Sequence, residues 1–408
     1  MFKRMAPLKY FCGLDLGASE IKVALVKAQD AANLQLLGVF QARALGLKDG
    51  SITDLAELSQ CVKTAVEGLA GKFSVNIHAV RLGISADALC VRRSMALIPL
   101  VDAGTKVISR SDIRKVDHQA KLLGIALDEE AIHEFPQMYR VDDVNAALDP
   151  AGLFGRKLES NLLILAVKAN RLRNLVQAAH QAGFEVSRVS CSGYAAAEVV
   201  LDKNFKARGC ALVDIGANMT SVLLFKDGIL RDIQFIPWGG QYVTRTLADR
   251  LSLALEKAEE IKRLHAVAAP GQEEAGDILV QREKGYAPVS RTSVCDAVNW
   301  EIENFLTHLE TVVKGSALYH DLNAGIVMVG GGALLAGLME RVEERVNLPV
   351  GMGVPARGLN NVSVFAGAIG LAQMDYMRSN ETAIHWNRAG DVRNKAWSYL
   401  KEMCQEYF

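Results

Sequence analysis

The feature that most limits how this chain can fold is a pair of similar hairpin sequences about 200 residues apart. The first, FCGLDLGASEIKVALVK at 11–27, has an apolar strand, an Asp-x-Gly turn at Asp15 and a second apolar strand. The second, ALVDIGANMTSVLLFKDG at 211–228, repeats this order around Asp214. One Asp-x-Gly turn is common in surface loops. Two in this order predict a duplicated domain with a ligand between its halves.

The chemistry of these turns suits a phosphate group with a bound metal ion. Backbone N–H groups of such a turn point at the anion, and the aspartate can hold the water shell of the metal. The hydroxyl of Thr220, just after the second turn, is a further expected phosphate contact. We therefore expect a nucleotide between the two halves.

A third loop supports this expectation. At 326–335 an apolar strand enters three glycines, and the pattern predicts that a helix starts directly after them. Glycine lets the backbone approach a nucleotide closely, and a helix start leaves N–H groups free for an anion.

Composition excludes several classes of function. The 408-residue chain has no net charge at pH 7, so nothing in it favours nucleic acid. Seven scattered cysteines without a Cys-x-x-Cys pair are typical of reduced thiols in the cytoplasm. His118 and His133 have no second histidine or cysteine at metal-ligand spacing. The sequence contains no run of 18 apolar residues, so no membrane-spanning helix is predicted, and no signal peptide is expected.

Between and after the hairpins the pattern is α/β, interrupted once. Asp54 is placed to cap a helix over 58–69, and residues 86–160 change to a compact α+β insertion. Within the insertion, Ser111 is expected to cap the helix SDIRKVDHQAKLLG. Farther on, residues 265–290 predict a loop or short hairpin, followed by a long helix.

The end of the chain predicts a tether, 376–390, and then an amphipathic helix, 391–408. Apolar side chains of the last 18 residues fall on one helical face with charges off it, as in helices that lie in a membrane interface. The alternative is a helix docked on the protein body or on a partner. The expected membrane contacts are Val392, Trp397, Leu400, Met403, Tyr407 and Phe408.

Taken together, the motifs resemble the bacterial cell-division FtsA family, actin-like ATP-binding proteins, over nearly the whole chain. The similar segments are GLDLGASEIK at 13–22, GLKDGSITD at 46–54, DPAGLFGRKLES at 149–160, IPWGGQYVT at 236–244, AEEIK at 258–262, Gly-Gly-Gly-Ala at 330–333 and the terminal helix.

The resemblance implies an α/β, actin-like (duplicated ribonuclease H-like) two-lobed fold with an inserted α+β subdomain and a C-terminal amphipathic helix. The implied parts are a first actin-like subdomain at 1–85 plus 161–205, an inserted division-specific subdomain at 86–160, a second actin-like subdomain at 206–240 plus 310–375, and a smaller subdomain of the second lobe at 241–309.

The resemblance also implies ATP and magnesium in the cleft and homopolymers on the inner face of the cell membrane at the division site. The implied partners are the C-terminal peptide of FtsZ, docked at 241–309, membrane lipid and later division proteins. Asp15 and Asp214 would hold magnesium through water. The implied nucleotide contacts are Asp15, Gly17, Ala18, Ser19, Lys22, Asp214, Gly216, Ala217, Asn218, Met219, Gly239, Gly240, Glu259, Lys262, Gly330, Gly331, Gly332 and Ala333.

One segment departs from the family. The second loop, Gly-Ala-Asn-Met-Thr-Ser at 216–221, lacks the usual run of glycines and the acid that follows it. ATP binding is still expected, because Asn218 tolerates a turn, but hydrolysis should be weak at most. This loop is more similar to that of PilM, a cytoplasmic adaptor of type IV pilus machines, which is the alternative function. A small-molecule kinase on the same fold is a further alternative, for which no motif supplies a general base.

Overall fold

The structure is a computed structural model that describes residues 9–28, 34–48, 50–101, 104–142, 145–268, 276–282, 285–354 and 362–377. The strands are β1 Lys9–Leu16, β2 Glu20–Ala28, β3 Leu34–Arg43, β4 Leu47–Lys48, β5 Ser51–Ile52, β6 Ala79–Ile84, β7 Leu89–Pro99, β8 Lys106–Val107, β9 Glu129–Val141, β10 Asn145–Ala147, β11 Phe154–Gly155, β12 Lys157–Lys168, β13 Glu185–Cys191, β14 Cys210–Ile215, β15 Thr220–Lys226, β16 Ile229–Ile236, β17 Asp277–Arg282, β18 Gly285–Ser290, β19 Ile326–Val329 and β20 Val350–Met352. The α-helices are α1 Leu55–Phe73, α2 Arg110–Gly124, α3 Ala169–Gln181, α4 Ser192–Val200, α5 Lys203–Arg208, α6 Gly240–Leu251, α7 Leu255–His265, α8 Arg291–Lys314, α9 Leu338–Val346 and α10 Ala366–Met377.

The terminal amphipathic helix predicted at 391–408 lies outside the described residues, as does the tether beyond 377. Its six expected membrane contacts therefore remain a prediction: Val392, Trp397, Leu400, Met403, Tyr407 and Phe408. Within the part of the chain that is described, no helix is long and apolar enough to cross a membrane.

Two five-stranded sheets share one topology. The first has the order β3-β2-β1-β6-β13, and the second has the order β16-β15-β14-β19-β20. In each, an antiparallel three-stranded meander is extended by two strands that run parallel to the first strand of the meander. Asp15 and Asp214 occupy the same place, one residue before the end of β1 and of β14. This confirms the duplicated domain predicted from the two hairpins.

Local sequence explains why the elements around the cleft form where they do. The inner strand β15 is buried from its first residue to Phe225, as expected for a strand covered on both faces. At the start of α1, the side chain of Asp54 accepts a hydrogen bond of 2.9 Å from the amide of Glu57, as predicted. The long helix and the short hairpin expected in the second half are α8 and β17–β18.

The inserted subdomain is a four-stranded sheet, β10-β9-β12-β7, with α2 packed on one face. Its helix begins earlier than predicted, and Ser109 rather than Ser111 is the cap. Asp112 decides this, because it lies three residues after Ser109 and completes a reciprocal capping box. Hydrogen bonds from Lys106 and from Ser109 hold the pKa of Asp112 at about 2.

Helix α10 joins the cleft to the last described residues. It packs against β1 and α4 of the first lobe, although the division expected from the sequence placed residues up to 375 with the second lobe. Gly13 and Gly370 allow this contact, since a Cβ atom would lie 2.0 Å from the carbonyl oxygen of Ala368 and 1.8 Å from that of Ala195, respectively. Near the end of α10, Asp375 accepts a hydrogen bond of 2.9 Å from Ser187.

Candidate functional site

A cleft of about 1160 Å³ lies between the two sheets, at the carboxyl ends of their parallel strands. The three loops expected from the sequence all reach it. The expected nucleotide contacts on its walls are Asp15, Gly17, Ala18, Ser19, Lys22, Asp214, Gly216, Ala217, Asn218, Met219, Gly240, Glu259, Lys262, Gly330, Gly331 and Gly332. Gly239 and Ala333 are buried and do not line the cleft. A Cβ atom on Gly239 would stand 2.5 Å from the carbonyl oxygen of Ala217 in the second loop.

In the first loop, Asp15 is held by a residue that sequence reasoning missed. The hydroxyl of Ser192, the first residue of α4, donates a hydrogen bond of 2.6 Å to Oδ1 of Asp15. Lys22 stands opposite Asp15 in the β1–β2 pair and also faces the cleft. Ser192 follows β13 directly, and the ends of neighbouring parallel strands meet at one edge of a sheet. The position of Ser192 directly after β13 was the sequence signal that could have identified it.

In the second loop, Asp214 is enclosed but keeps a small exposed fraction toward the cleft. Loss of water around its carboxylate, and then the negative charge of Asp15, raise the pKa of Asp214 to about 6. Gly330 has a φ of +90°, and a Cβ atom there would lie 2.6 Å from Oδ1 of Asp214. Only glycine therefore fits at this position beside the carboxylate.

The start of α6 braces the second loop. The amide of Gly240 donates to the carbonyl of Gly216 at 3.0 Å, and the amide of Gln241 donates to that of Ala217 at 2.8 Å. These N–H groups belong to the first turn of α6, where no intrahelical partner exists. The loop thus satisfies the helix start, and the helix start fixes the path of the loop.

The expectation that Thr220 contacts phosphate is wrong. Its side chain is fully buried, and the hydroxyl donates a hydrogen bond of 2.8 Å to the carbonyl of Trp238. A buried hydroxyl needs such a partner, and here the neighbouring strand end supplies it. At this end of the cleft the second loop therefore offers its backbone and Asp214 to a ligand.

On the side of the second lobe, Glu259 and Lys262 of α7 form a half-buried ion pair. Lys262 Nζ donates to Glu259 Oε2 at 2.6 Å and to the Gly240 carbonyl at 3.0 Å. Burial alone would raise the pKa of Glu259, but hydrogen bonds from Lys262, Thr244 and Arg263 outweigh it and hold this pKa at about 2. Burial lowers the pKa of Lys262. Hydrogen bonds thus hold both side chains of the pair in place on the wall of the cleft.

The third loop differs from expectation in one respect. After β19 the glycines lead into a short 3₁₀ turn at Gly332–Leu334, and α9 begins only at Leu338. No helix start therefore points its N–H groups into the cleft at the glycines. Gly331 has open space where a side chain would stand, so the backbone can approach a ligand there. The remaining wall, which sequence reasoning missed, consists of residues such as His265, Val267, Arg291, Cys295 and Leu335.

The oxygen donors of the cleft fit magnesium bound together with a phosphate. Among the described residues there is no cluster of three or more His, Cys, Asp or Glu that could hold a metal. Magnesium needs no such cluster, because it keeps several waters and takes one or two carboxylates plus phosphate oxygens. Burial and the charge of Asp15 raise the pKa of Asp214 in spite of the positive charge of Lys22, and a divalent cation beside it would offset more of its negative charge.

Two protein-family models match segments of this chain. The family described as "Cell division protein FtsA" matches residues 211–370, and the one described as "SHS2 domain inserted in FTSA" matches residues 93–166. The cell division protein FtsA of Streptococcus pneumoniae is 30% identical over 372 residues, which cover 90% of this chain and 80% of that protein. The chain belongs to the FtsA family. FtsA of Pseudomonas aeruginosa is 26% identical over 381 residues, covering 91% of each.

Solved structures support the actin-like fold of this FtsA-family chain. A PilM–PilN type IV pilus biogenesis complex contains a chain similar at a TM-score of 0.65, with 17% identity over 90% of this chain and 98% of that one. An MreB protein of Spiroplasma citri bound to ADP is similar at 0.54, with 12% identity over 92% of this chain and 99% of the other. At these identities the likeness is one of fold. The PilM alternative therefore has fold similarity alone, whereas the sequence relatives are FtsA proteins.

Proposed function

We propose that this protein binds magnesium and ATP in the cleft and serves as a polymerising adaptor for the FtsZ ring at the division site. The observation that carries the proposal is the pair Asp15 and Asp214. They stand at equivalent strand ends of a duplicated fold and face one glycine-walled cleft. Nucleotide then joins the two lobes, and its presence sets the angle between them.

Each wall of the cleft has a separate task in this proposal. Asp15 and Asp214 hold magnesium through water, and the metal, when bound, offsets the negative charge of the phosphates. Lys22 and the turn amides of both hairpins contact phosphate oxygens. Glu259 and Lys262, already fixed by their hydrogen bonds, contact the nucleoside. The loop at 330–332 lies along it.

Turnover is proposed to be weak at most. The second loop, at 216–221, has no acid after its threonine, so the loop itself offers no carboxylate to orient water beside Asp214. Asp15 is hydrogen-bonded to Ser192, and Glu259 to Lys262. The nucleotide would act mainly as a structural ligand between the lobes.

Neighbours in fold support the nucleotide and polymer parts of the proposal. MreB structures of Spiroplasma citri are described as bound to ADP and to AMPPNP, and MamK as a double helical filament. We propose the same capacities here, together with docking of the FtsZ C-terminal peptide at 241–309, recruitment of later division proteins and attachment of residues 391–408 to the cytoplasmic membrane face.

Calorimetric titration of the full chain with ATP tests the central claim. We expect binding in magnesium that weakens at least tenfold in EDTA and in Asp214→Asn. Asp296→Asn, an exposed carboxylate on α8, is the matched control and should bind as the wild type does. Absence of any ATP binding by the wild type, with or without magnesium, would overturn the proposal.

Vesicle co-sedimentation tests the adaptor part. The full chain should pellet with anionic lipid vesicles and carry a labelled FtsZ C-terminal peptide with it, whereas a chain ending at Asn387 should stay in solution. If the two chains behave alike, the terminal segment is not a membrane anchor. If the peptide stays in solution although the chain pellets, its docking on the second lobe is refuted.

A further inference from the structure

The start of α4 lies between the two cleft carboxylates, bonded to one and close to the other. Ser192 donates its hydroxyl to Asp15 at 2.6 Å. The next residue, Gly193, lies against the other carboxylate, because a Cβ atom on it would stand 3.5 Å from Oδ2 of Asp214. A shift of this helix start would therefore move Asp15, which is bonded to it, relative to Asp214.

The inserted subdomain holds this helix start from behind. His133, on β9, accepts a hydrogen bond of 3.0 Å at Nε2 from the backbone amide of Cys191, the residue just before Ser192. Both residues are buried, with exposures of 9% and 1%. Phe135 and His133 also pack their rings against Tyr194 of α4, at centroid distances of 4.9 and 5.0 Å.

The hydrogen bond from the Cys191 amide to His133 is the directional part of this contact. N–H groups at a helix start have no partner within the helix, and a buried one left unpaired costs about 1–3 kcal/mol. The imidazole supplies that partner only with Nε2 unprotonated, which in the neutral ring places the proton on Nδ1. Ring packing alone would tolerate a small slide of α4, whereas this hydrogen bond fixes the position of one backbone atom next to Ser192.

We propose that His133 is a positioning residue for the phosphate end of the cleft, acting on Asp15 through the start of α4. The inference rests on the proposed binding of magnesium and ATP. It gives the inserted subdomain a task inside the first lobe: whatever moves β9 changes the alignment of Asp15 with Asp214. A partner docked on the insertion would then alter nucleotide affinity without contacting the cleft.

Two substitutions of His133 separate the hydrogen bond from the packing. His133→Phe keeps an aromatic ring against Tyr194 but removes the acceptor, and His133→Gln keeps an acceptor but removes the ring. We expect His133→Phe to weaken magnesium-dependent ATP binding about threefold to tenfold, with His133→Gln nearer the wild type. His118→Phe, an exposed histidine of the same subdomain, is the matched control and should bind normally.

Hydrogen exchange of the nucleotide-free protein supplies a readout that does not need a bound ligand. The amides at 191–194 should exchange faster in His133→Phe than in the wild type, and those of α1 should not change.

If the histidine acts through Ser192, adding Ser192→Ala to His133→Phe should cause little further loss of affinity. Should His133→Phe fail to fold, His133→Leu, which also lacks the acceptor, takes its place in this cycle.

The outcomes are distinguishable from those of the proposed function. A wild type that binds no ATP refutes the proposed function, while the exchange data still report whether His133 fixes α4. Wild-type binding together with unchanged affinity in both His133→Phe and Ser192→Ala overturns the inference. So does a loss in which His133→Gln is as weak as His133→Phe, because a hydrogen-bond acceptor at this position would then not restore the alignment of α4.

Discussion

The two phosphate loops have the same place in the duplicated fold but are braced by different neighbours. In the first, Asp15 is held by Ser192 of α4, whose start is fixed by the inserted subdomain. In the second, the carbonyl of Gly216 accepts from the amide of Gly240, and the carbonyl of Gly240 accepts from Lys262 of α7. The duplicated strands are thus alike, whereas the inserted subdomain supports the first loop and helices α6 and α7 support the second.

The two carboxylates differ in the same way. Asp15 accepts a hydrogen bond from Ser192, so part of its charge is compensated without any ligand. Asp214 has lost most of its water and stands near the charge of Asp15, which raises its pKa to about 6. The first lobe therefore presents a carboxylate that is already held by a hydrogen bond, and the second lobe presents one whose ionisation depends on what occupies the cleft.

The largest expected effect comes from comparing Asp214→Asn with Asp15→Asn in the nucleotide-free protein. A pKa raised by about two units corresponds to about 3 kcal/mol of unfavourable charge at neutral pH, so Asp214→Asn should stabilise the apo fold by about 1–3 kcal/mol. Asp15→Asn relieves the same repulsion but loses a charged hydrogen bond, and its net effect should lie near zero. Chemical denaturation at pH 7 measures both.

Both variants should bind magnesium and ATP poorly, at least tenfold below the wild type, because each removes a metal-facing oxygen charge. Asp296→Asn is again the control. Equal stabilisation by the two variants would contradict the view that the carboxylates are unequal.

The next effect concerns pH. Since the folded pKa of Asp214 lies near 6 and its ordinary value near 3.8, the protonated form favours folding. This contribution is complete below about pH 3.8 and is lost as pH rises through about 6. The stability of the wild-type apo protein relative to Asp214→Asn should therefore fall between about pH 4 and pH 7.

Magnesium-dependent ATP binding should follow the opposite slope, because the metal competes with the proton. Affinity should be about tenfold weaker at pH 5 than at pH 7. A flat profile between these pH values, with binding intact, would mean that Asp214 is already ionised in the apo cleft.

The duplicated fold could be predicted because its signals are local. An Asp-x-Gly turn between apolar strands occupies fewer than 20 residues, and the topology rules for neighbouring strands then leave few arrangements. The cap of α2 shows the limit of such reasoning. Ser109 and Ser111 both precede a helical pattern, and only the reach of Asp112 back to Ser109 decides between them. The placement of α10 on the first lobe depends on close backbone contacts, which no periodicity reveals.

The site residues that could be predicted are those whose backbone turn and charged side chain lie within one sequence motif. Ser192 was missed since it is 177 residues from Asp15, and the hydrogen bond exists only after β13 and β1 enter one sheet. Thr220 was misjudged for a related reason. The direction of its side chain is set by the neighbouring Trp238 carbonyl, which lies just beyond another strand end.

A smaller effect should follow from loosening the brace of the second loop. Lys262→Met keeps the packing of the aliphatic stem but removes the donor to the Gly240 carbonyl. We expect faster hydrogen exchange at 216–219 and ATP binding weaker by about threefold to fivefold, with exchange at 191–194 unchanged. Lys257→Met, on the same helix but paired with Glu260, is the matched control. Equal loosening of both loops would show that the braces are not independent.

The smallest effect tests a contact that joins the two braced regions across the mouth of the cleft. Glu20, the first residue of β2, accepts a hydrogen bond of 3.2 Å from Arg263 of α7, whose other partner is Glu259. With 58% of the Arg263 side chain exposed, such a pair contributes at most about 1 kcal/mol, and salt screens it. Glu20→Gln should therefore speed dissociation of a fluorescent ATP analogue about twofold at low ionic strength, and the difference should vanish near about 0.5 M salt. Repeating the substitution in Arg263→Met isolates the pair, because Glu20→Gln should have no effect there. An unchanged twofold effect in that background would mean that Glu20 acts on the first loop alone, and the two lobes would then be joined by the ligand rather than by this ion pair.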